Sequence, residues 1–217
     1  MDINKDLDPQ LIKLSKKIGL DIIGFADVKH FKNPINENSP KYYQDDSKIV
    51  IIVGLHLFDI FLDIWIENKK AGKNFHFLDI ILEKNCYKIK EFLSKRGYKS
   101  TIIPYSSGFY LKNAAALAGI GPIGKSNLLI TDEYGSQVRL RALTTNAPLK
   151  AGKPILKSKY CKECAICIKA CPAEALSKGN YDKDACLSYN LKNLKKFSNY
   201  SSIWCNICIE SCPIGKK

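Results

Sequence analysis

The sequence has no apolar run as long as the roughly 18 residues that a membrane-spanning helix requires. Its first ten residues, MDINKDLDPQ, are polar and partly acidic, so they lack the apolar core of a secretory signal peptide. We therefore expect a cytoplasmic protein that does not enter a membrane. Histidine is scarce as well, and none of His30, His56 and His76 has a partner at the spacing of a metal-ligand pair. We expect structural roles for these three residues.

Acidic residues are too few to balance the basic ones. The 217 residues include 34 Lys and Arg against 21 Asp and Glu, which gives a formal net charge of +13. Such an excess suits a nucleic acid or another polyanionic partner. It also fits a general bias in composition, because the lysines are scattered and form no basic stripe interleaved with aromatic residues. The charge alone leaves both interpretations open.

Cysteine occurs nine times, which is too little for a small disulfide scaffold. Its distribution is uneven, since eight of the nine lie between Cys161 and Cys212. Without a secretion signal, clustered cysteines indicate metal ligands before they indicate disulfides. The ninth, Cys86, falls inside a predicted helix, where we expect a small buried hydrophobic residue.

The first cysteine motif is CKECAICIKACP, from Cys161 to Pro172. Its spacing, C-x2-C-x2-C-x3-C-P, is typical of ferredoxins that hold two [4Fe–4S] clusters. Three thiolates on one tight loop can reach three corners of a cuboidal cluster. We expect the fourth, Cys171, to open a helix that faces away and to bind the other cluster.

The second motif is CNICIESCP, from Cys205 to Pro213, and it lacks one upstream cysteine. Cys186 is the unassigned candidate nearby, so the two clusters can be completed by exchange between the motifs. We predict that cluster 1 is bound by Cys161, Cys164, Cys167 and Cys212, and cluster 2 by Cys171, Cys186, Cys205 and Cys208. Zinc is the alternative, but it leaves the cysteine triplet and both Cys-Pro pairs unexplained.

Hydrophobic periodicity before residue 157 predicts alternating helices and strands. The stretch KIVIIVGL (48–55) is apolar on both faces and indicates a central strand. Residues 147–154 suggest a linker, and cysteine dominates the composition from Tyr160 onward. The elements that we predict are helices over about 8–18, 75–96 and 111–118, and strands at 21–26, 48–55, 98–103, 127–131 and 137–145.

The stretch GIGPIGKS (119–126) matches both the P-loop and the dinucleotide fingerprint. Both motifs need a strand that ends in the glycine turn and a helix that begins there. Here a predicted helix enters the turn and a predicted strand leaves it, while Pro122 removes an amide donor. We expect these glycines to allow close approach of the backbone rather than phosphate binding.

KKIGLDIIGFAD (16–27), residues 115–149 and the two-cluster segment together resemble the superfamily of epoxyqueuosine reductases and cobamide-dependent reductive dehalogenases. The resemblance implies an α+β protein. A nitroreductase-like α/β domain that binds cobalamin, at residues 1–157, would precede a bacterial-ferredoxin-like domain with two [4Fe–4S] clusters, at residues 158–217. It also implies that Gly119, Gly121, Gly124 and Lys125 lie near the corrinoid.

Two departures from the superfamily affect the prediction. Epoxyqueuosine reductases usually carry an acidic residue before the glycine turn, whereas PYSSGFY (104–110) has none, so Tyr105 is the candidate proton donor. Packing is the alternative role for Tyr105. Those enzymes also continue into a helical-repeat domain that engages tRNA, whereas this sequence ends five residues after Cys212. We therefore do not expect tRNA as the substrate.

Three functions remain open at this point. The first is a cobamide-dependent reductase that acts on a small molecule. The second is an electron-transfer protein without substrate chemistry, and the third is a minimal tRNA epoxyqueuosine reductase. Each requires a low-potential electron donor such as ferredoxin or flavodoxin. Lysines near the cysteines could attract an acidic donor, and they are Lys192, Lys195, Lys196, Lys216 and Lys217.

Overall fold

The computed structural model describes residues 7–32, 36–68, 73–105, 108–177 and 180–215. Within them the helices are α1 (Leu7–Lys17), α2 (Pro40–Tyr43), α3 (Phe77–Ser94), α4 (Leu111–Leu117), α5 (Ile166–Ala170), α6 (Lys183–Lys192) and α7 (Ile207–Glu210). The strands are β1 (Ile22–Asp27), β2 (Ile49–His56), β3 (Trp65–Asn68), β4 (Lys73–His76), β5 (Ser100–Ile102), β6 (Val138–Thr145), β7 (Lys195–Ser198) and β8 (Ser201–Ile203). Short 3₁₀ helices cover Val28–His30 and Ile60–Asp63.

The described residues form a mixed α/β fold with two four-stranded sheets, in the orders β1-β2-β6-β5 and β4-β3-β8-β7. It divides into two compact units that are discontinuous in sequence. The first comprises Met1–Leu55, Ile81–Ile120 and Arg139–Leu156, and the second comprises His56–Ile80, Gly121–Val138 and Lys157–Lys217. The cysteine-rich segment therefore shares its unit with two earlier segments of the chain. The predicted domains, 1–157 and 158–217, stay a prediction.

The first sheet is built around β2. Every residue from Ile49 to Leu55 is buried, which confirms the central strand predicted from its apolar sequence. β2 pairs antiparallel with β1, from Ile22 opposite Gly54 to Asp27 opposite Ile49. α1 and α4 pack against β1. Gly24 permits the approach of the segment that follows α4, since a Cβ at this position would lie 2.7 Å from Ile120 Cγ1.

α3 shows how an apolar stripe positions a helix. Leu82, Cys86, Ile89 and Leu93 recur at intervals of three or four residues, and all four are fully buried. The expectation that Cys86 is a buried hydrophobic residue is thus confirmed. The helix is shorter at its start than predicted, because residues 73–76 form β4, which pairs antiparallel with β3.

The strand predicted at 127–131 is wrong. After α4 the chain makes a tight loop in which the Ile130 amide donates to the Pro122 carbonyl at 2.9 Å, and the Gly124 amide to the Leu128 carbonyl at 2.8 Å. Asn127 has a φ of 58°, which breaks an extended strand. Only isolated bridges, Ile123 to Leu129 and Thr131 to Gly135, occur in this region.

Candidate iron–sulfur centre

The four cysteines predicted for cluster 1 line one cavity. Its volume is about 80 Å³, and its walls include Cys161, Cys164 and Cys167 from the first motif and Cys212 from the second. Burial raises the pKa of the Cys167 thiol, and nearby negative charge on the other three thiols raises it further. The fold therefore brings together the thiols that the spacing assigned to one cluster.

The glycine turn supports this cavity from one side. A Cβ at Gly121 would overlap the carbonyl oxygen of Ile130, and a Cβ at Gly124 would lie 3.2 Å from Cys161 Sγ. Lys125 Nζ donates to the carbonyl oxygens of Lys162 at 3.0 Å and of Cys164 at 2.9 Å. These charge-assisted hydrogen bonds hold the loop between the first two cysteines.

A second turn, residues 131–135, contacts the chain at both ends of the predicted ligand set of cluster 1. The Tyr160 hydroxyl donates to Asp132, and this bond is the main cause of a lowered pKa for the Asp132 carboxyl. Tyr160 directly precedes Cys161. A Cβ at Gly135 would overlap the carbonyl oxygen of Ile214, two residues after Cys212. Sequence reasoning missed this supporting role, because the partners of the turn lie far along the chain.

The four cysteines predicted for cluster 2 form the second group. Burial raises the pKa of Cys208 to about 12, with further contributions from Cys205, Cys186 and Cys171, in that order. Burial also raises the pKa of Cys205, and the nearby Cys186 and Cys171 raise it further. These shifts support the predicted grouping of the four cysteines.

Two short helices and the second sheet position this group. α5 carries Cys167 and ends at Cys171, while α7 carries Cys208, and the two helices pack against each other. Cys171 therefore closes a helix rather than opening one as predicted, because Pro172 cannot continue the helical hydrogen bonding. β8 ends two residues before Cys205, and β3 pairs with it at Trp65 opposite Ser202.

All nine cysteines are free thiols. In the described part of the chain, no group of three or more His, Cys, Asp or Glu is arranged to hold a single metal ion. A [4Fe–4S] cluster differs from a single ion, because each of its four thiolates binds a different iron atom. Four thiols around one cavity, with two chain turns fixing their positions, fit that cofactor.

Tyr105 lies in the first unit between β5 and α4, and the residue is 36% exposed. Its role as proton donor stays a prediction. The structure adds one group that sequence reasoning missed: the Glu37 carboxylate lies beside Gly108, where a Cβ would be 2.8 Å from Glu37 Oε1. A carboxylate from another loop thus reaches PYSSGFY, of which Ser106 and Ser107 lie outside the described residues.

Two of the histidines make contacts of a structural kind. His56 stacks on Tyr134 with ring centroids 4.5 Å apart. The His76 ring packs edge-on against Trp65, and its Nδ1 lies 3.2 Å from the Asp63 carbonyl oxygen. His30 is an exposed residue of a 3₁₀ helix.

The four residues that we predicted to lie near a corrinoid make contacts with other parts of the chain. Gly119 has a φ of 76°, and a Cβ there would lie 2.6 Å from the Lys153 carbonyl oxygen. Gly121, Gly124 and Lys125 make the contacts described above. Cobalamin binding near these positions stays a prediction from the resemblance.

No protein-family model matches the chain. Among curated proteins, epoxyqueuosine reductase of Prochlorococcus marinus (strain NATL2A) is 33% identical over 168 residues, which are 71% of this chain and 52% of the relative. The chain is homologous to the epoxyqueuosine reductases. Tetrachloroethene reductive dehalogenase of Sulfurospirillum multivorans is 29% identical over 139 residues, or 58% of this chain and 27% of the dehalogenase. The match therefore covers about half or less of each relative's length.

Solved structures of the superfamily share the fold. A crystal structure of epoxyqueuosine reductase with an epoxyqueuosine-modified tRNA-Tyr stem loop matches with a TM-score of 0.74 and 21% identity, over 97% of this chain and 66% of that one. A reductive dehalogenase whose structure suggests a mechanism for B12-dependent dehalogenation matches with a TM-score of 0.73 and 16% identity, over 94% of this chain and 31% of that one. The mixed α/β architecture is thus that of epoxyqueuosine reductase.

The described part of the chain contains no helix with both the length and the apolar character needed to cross a membrane.

Proposed function

We propose that the chain is an iron–sulfur redox protein with two [4Fe–4S] clusters and acts as a cytoplasmic reductase related to epoxyqueuosine reductase. One observation carries the proposal: Cys212 of the second motif lines the same cavity as Cys161, Cys164 and Cys167 of the first. This arrangement supports the exchange of ligands that we expect for two interlocked clusters. The ferredoxin-like and nitroreductase-like character of the two parts of the chain belongs to the same proposal.

The chain's own residues would hold the clusters and limit access of water. Lys125 and the turn at 131–135 fix the loops of cluster 1, while Ile166, Ile130 and Ile214 line its cavity with apolar surface. Apolar surroundings and hydrogen bonds to the thiolates set the potential of such clusters. Electrons would come from ferredoxin or flavodoxin.

A cobalamin would supply the bond-breaking chemistry at a small-molecule substrate. The resemblance supports this cofactor, as does the B12-dependent mechanism that the dehalogenase structure suggests for that enzyme. Tyr105 is our candidate for the residue that delivers a proton, and Glu37 lies beside the same loop. An electron carrier without a corrinoid is the second candidate function, favoured by the internal contacts of Gly119, Gly121, Gly124 and Lys125.

A minimal tRNA epoxyqueuosine reductase is the third candidate. A solved relative binds a tRNA stem loop, and the net charge of +13 suits a polyanionic partner. A measurement of stem-loop binding therefore tests our expectation that tRNA is not the substrate. Binding of a modified stem loop that weakens steeply with added salt would favour this candidate.

The test is a titration of the anaerobically reconstituted full chain with cob(II)alamin, followed by the cobalt EPR signal after the iron content is measured. We expect about eight iron atoms per chain, four for each cluster, and a saturable change to a base-off cobalt spectrum. Full iron content without a cobalt change would leave the electron carrier. Markedly less iron would contradict the two-cluster assignment itself.

A further inference from the structure

Asn190 lies in the last turns of α6 and connects two predicted ligands of cluster 2. Its side chain is buried, with the residue only 5% exposed. The Nδ2 group donates to the Cys186 carbonyl oxygen at 2.9 Å and lies 3.5 Å from Cys186 Sγ. The Oδ1 atom accepts from the backbone amide of Cys205 at 2.5 Å. One side chain thus touches the thiol of one cysteine and the backbone of another.

The position of Asn190 follows from helix geometry. Residues four apart lie on the same face of a helix, so Asn190 lies directly over Cys186. Asparagine is a poor residue for a helix interior, because its amide competes for backbone hydrogen bonds. Here both ends of the amide have hydrogen-bond partners, which is what a buried polar group requires. Neither Leu nor Asp could reproduce both contacts.

We infer that Asn190 is a positioning residue for cluster 2: it fixes Cys186 and Cys205 relative to each other and donates a hydrogen bond to the Cys186 sulfur that raises the reduction potential of this cluster. The inference rests on the proposed two-cluster function. Reduction adds one negative charge to the cluster and its thiolates, so a donor at a ligand sulfur stabilises the reduced form more than the oxidised form.

A second side chain interacts with Cys186. Burial first, and then the interaction with the Cys186 side chain, raises the pKa of Tyr181, which lies in a different segment, just before α6. Tyr181 therefore provides an independent test of the hydrogen bonds to this sulfur. Its removal leaves the contact between Asn190 and Cys205 in place, so it changes the potential without changing the link between the two ligands.

The experiment is a mediated redox titration of the anaerobically reconstituted full chain, monitored by EPR, together with iron and sulfide analysis. The variants are Asn190→Asp, Asn190→Leu and Tyr181→Phe. Asp keeps an acceptor for the Cys205 amide but loses the donor, whereas Leu loses both. Asn193→Asp and Asn193→Leu are matched controls, because Asn193 is exposed near the same helix end and its amide donates to the Tyr189 carbonyl at 2.8 Å.

We expect wild-type chain to show two reduction waves, of which only one moves in the Asn190 and Tyr181 variants. Loss of one hydrogen bond should shift the ratio of oxidised to reduced cluster about tenfold, which for a one-electron couple is about 59 mV to more negative potential. Asn190→Leu should also lose iron, to about half of the wild-type content. The Asn193 variants should keep both waves in place.

Equal potentials in wild type, Asn190→Asp and Tyr181→Phe would overturn the inference while leaving the two clusters intact. The same shift in Asn193→Asp as in Asn190→Asp would also overturn it, since charge alone would then explain the effect. A wild-type chain with fewer than two clusters contradicts the proposed function first, and the inference with it. A shift confined to one wave supports both.

Discussion

Gly135 shows how one residue can restrict the position of a predicted ligand far along the chain. Its φ is 55°, a conformation that favours glycine, and a Cβ at this position would overlap the Ile214 carbonyl oxygen. Ile214 follows Cys212 by two residues, and Pro213 between them limits how the backbone can adjust. A substitution at Gly135 should therefore displace Cys212 from the cavity of cluster 1.

We predict that Gly135→Ala loses cluster 1 and keeps cluster 2, so that the iron content of the reconstituted chain falls to about half. Gly97→Ala is the matched control, because Gly97 has a φ of 82° but a Cβ there would meet no atom within 4 Å. The control should keep its iron despite similar backbone strain. Iron analysis and EPR measure the cluster content of both variants. Full iron content in Gly135→Ala would show that the position of Cys212 does not depend on the contact between Gly135 and Ile214.

The grouping of the cysteines could be predicted from the sequence because their spacing reflects local loop geometry. The residues that support them could not. The resemblance places Lys125 and Gly124 near a corrinoid, and only the fold shows that they also lie against Cys164 and Cys161. Asn190 also carries no motif, and its contact with Cys205 spans 15 residues of sequence.

Elements with a strong apolar pattern were predictable, and short polar ones were not. β2 and α3 have the apolar patterns of buried elements, so their sequences were sufficient to predict them. β7 and β8 have few apolar residues, and their pairing at Lys196 opposite Ser202 depends on β3 on the far side of β8. Strand propensity depends on such neighbours, which is why the second sheet was missed.

β7 is an edge strand that presents basic and aromatic side chains. All four of its residues are exposed. The Phe197 ring packs on the Phe61 ring at 5.3 Å, and Lys195 Nζ lies 5.5 Å from the Phe197 ring centre. Lysine on an edge strand discourages pairing between chains, and the same charges suit an acidic electron donor. Lys192 is exposed at the end of α6, whereas Lys216 and Lys217 lie outside the described residues.

We predict that the double variant Lys195→Glu/Lys196→Glu is reduced about tenfold more slowly by reduced flavodoxin at low salt, because charge complementarity governs the association rate. The difference should shrink as ionic strength rises. Stopped-flow measurement of cluster bleaching tests this. The matched control is Lys16→Glu/Lys17→Glu, an exposed pair at the end of α1. If the control variant were reduced equally slowly, net charge rather than the position of the lysines on β7 would explain the effect.

At the scale of the whole molecule, eight thiols gathered in one unit affect the stability of the cluster-free chain. Metal ligands of this kind must be deprotonated to bind iron, so cluster loading releases protons and stabilises the folded chain. Without clusters, burial and neighbouring thiols favour the neutral form of three of these thiols. Burial is the first cause of the raised pKa of Cys208, Cys205 and Cys167. The cluster-free chain should therefore become less stable in alkali.

The direction follows from the protons bound by each state. An exposed thiol in the unfolded chain loses its proton near pH 9, whereas Cys208 in the folded chain keeps it up to about pH 12. The contribution of Cys208 to the free energy of unfolding is therefore fully present below pH 9. It is lost as the pH rises towards 12, because in this range the unfolded state binds fewer protons than the folded state. For Cys208 alone the loss should stay below about 1.4 kcal/mol per pH unit, since one pKa unit corresponds to that energy.

We predict that the free energy of unfolding of the reduced, cluster-free chain falls between pH 9 and pH 10.5, and that Cys208→Ala falls less steeply. Anaerobic urea unfolding at several pH values, followed by circular dichroism, measures both slopes. The comparison between the two proteins removes contributions from lysines and tyrosines, which they share. If the unfolding free energy fell equally steeply with pH in both proteins, the Cys208 thiol would already be solvated in the cluster-free fold. The cavity around the predicted clusters would then be open to water when the clusters are absent.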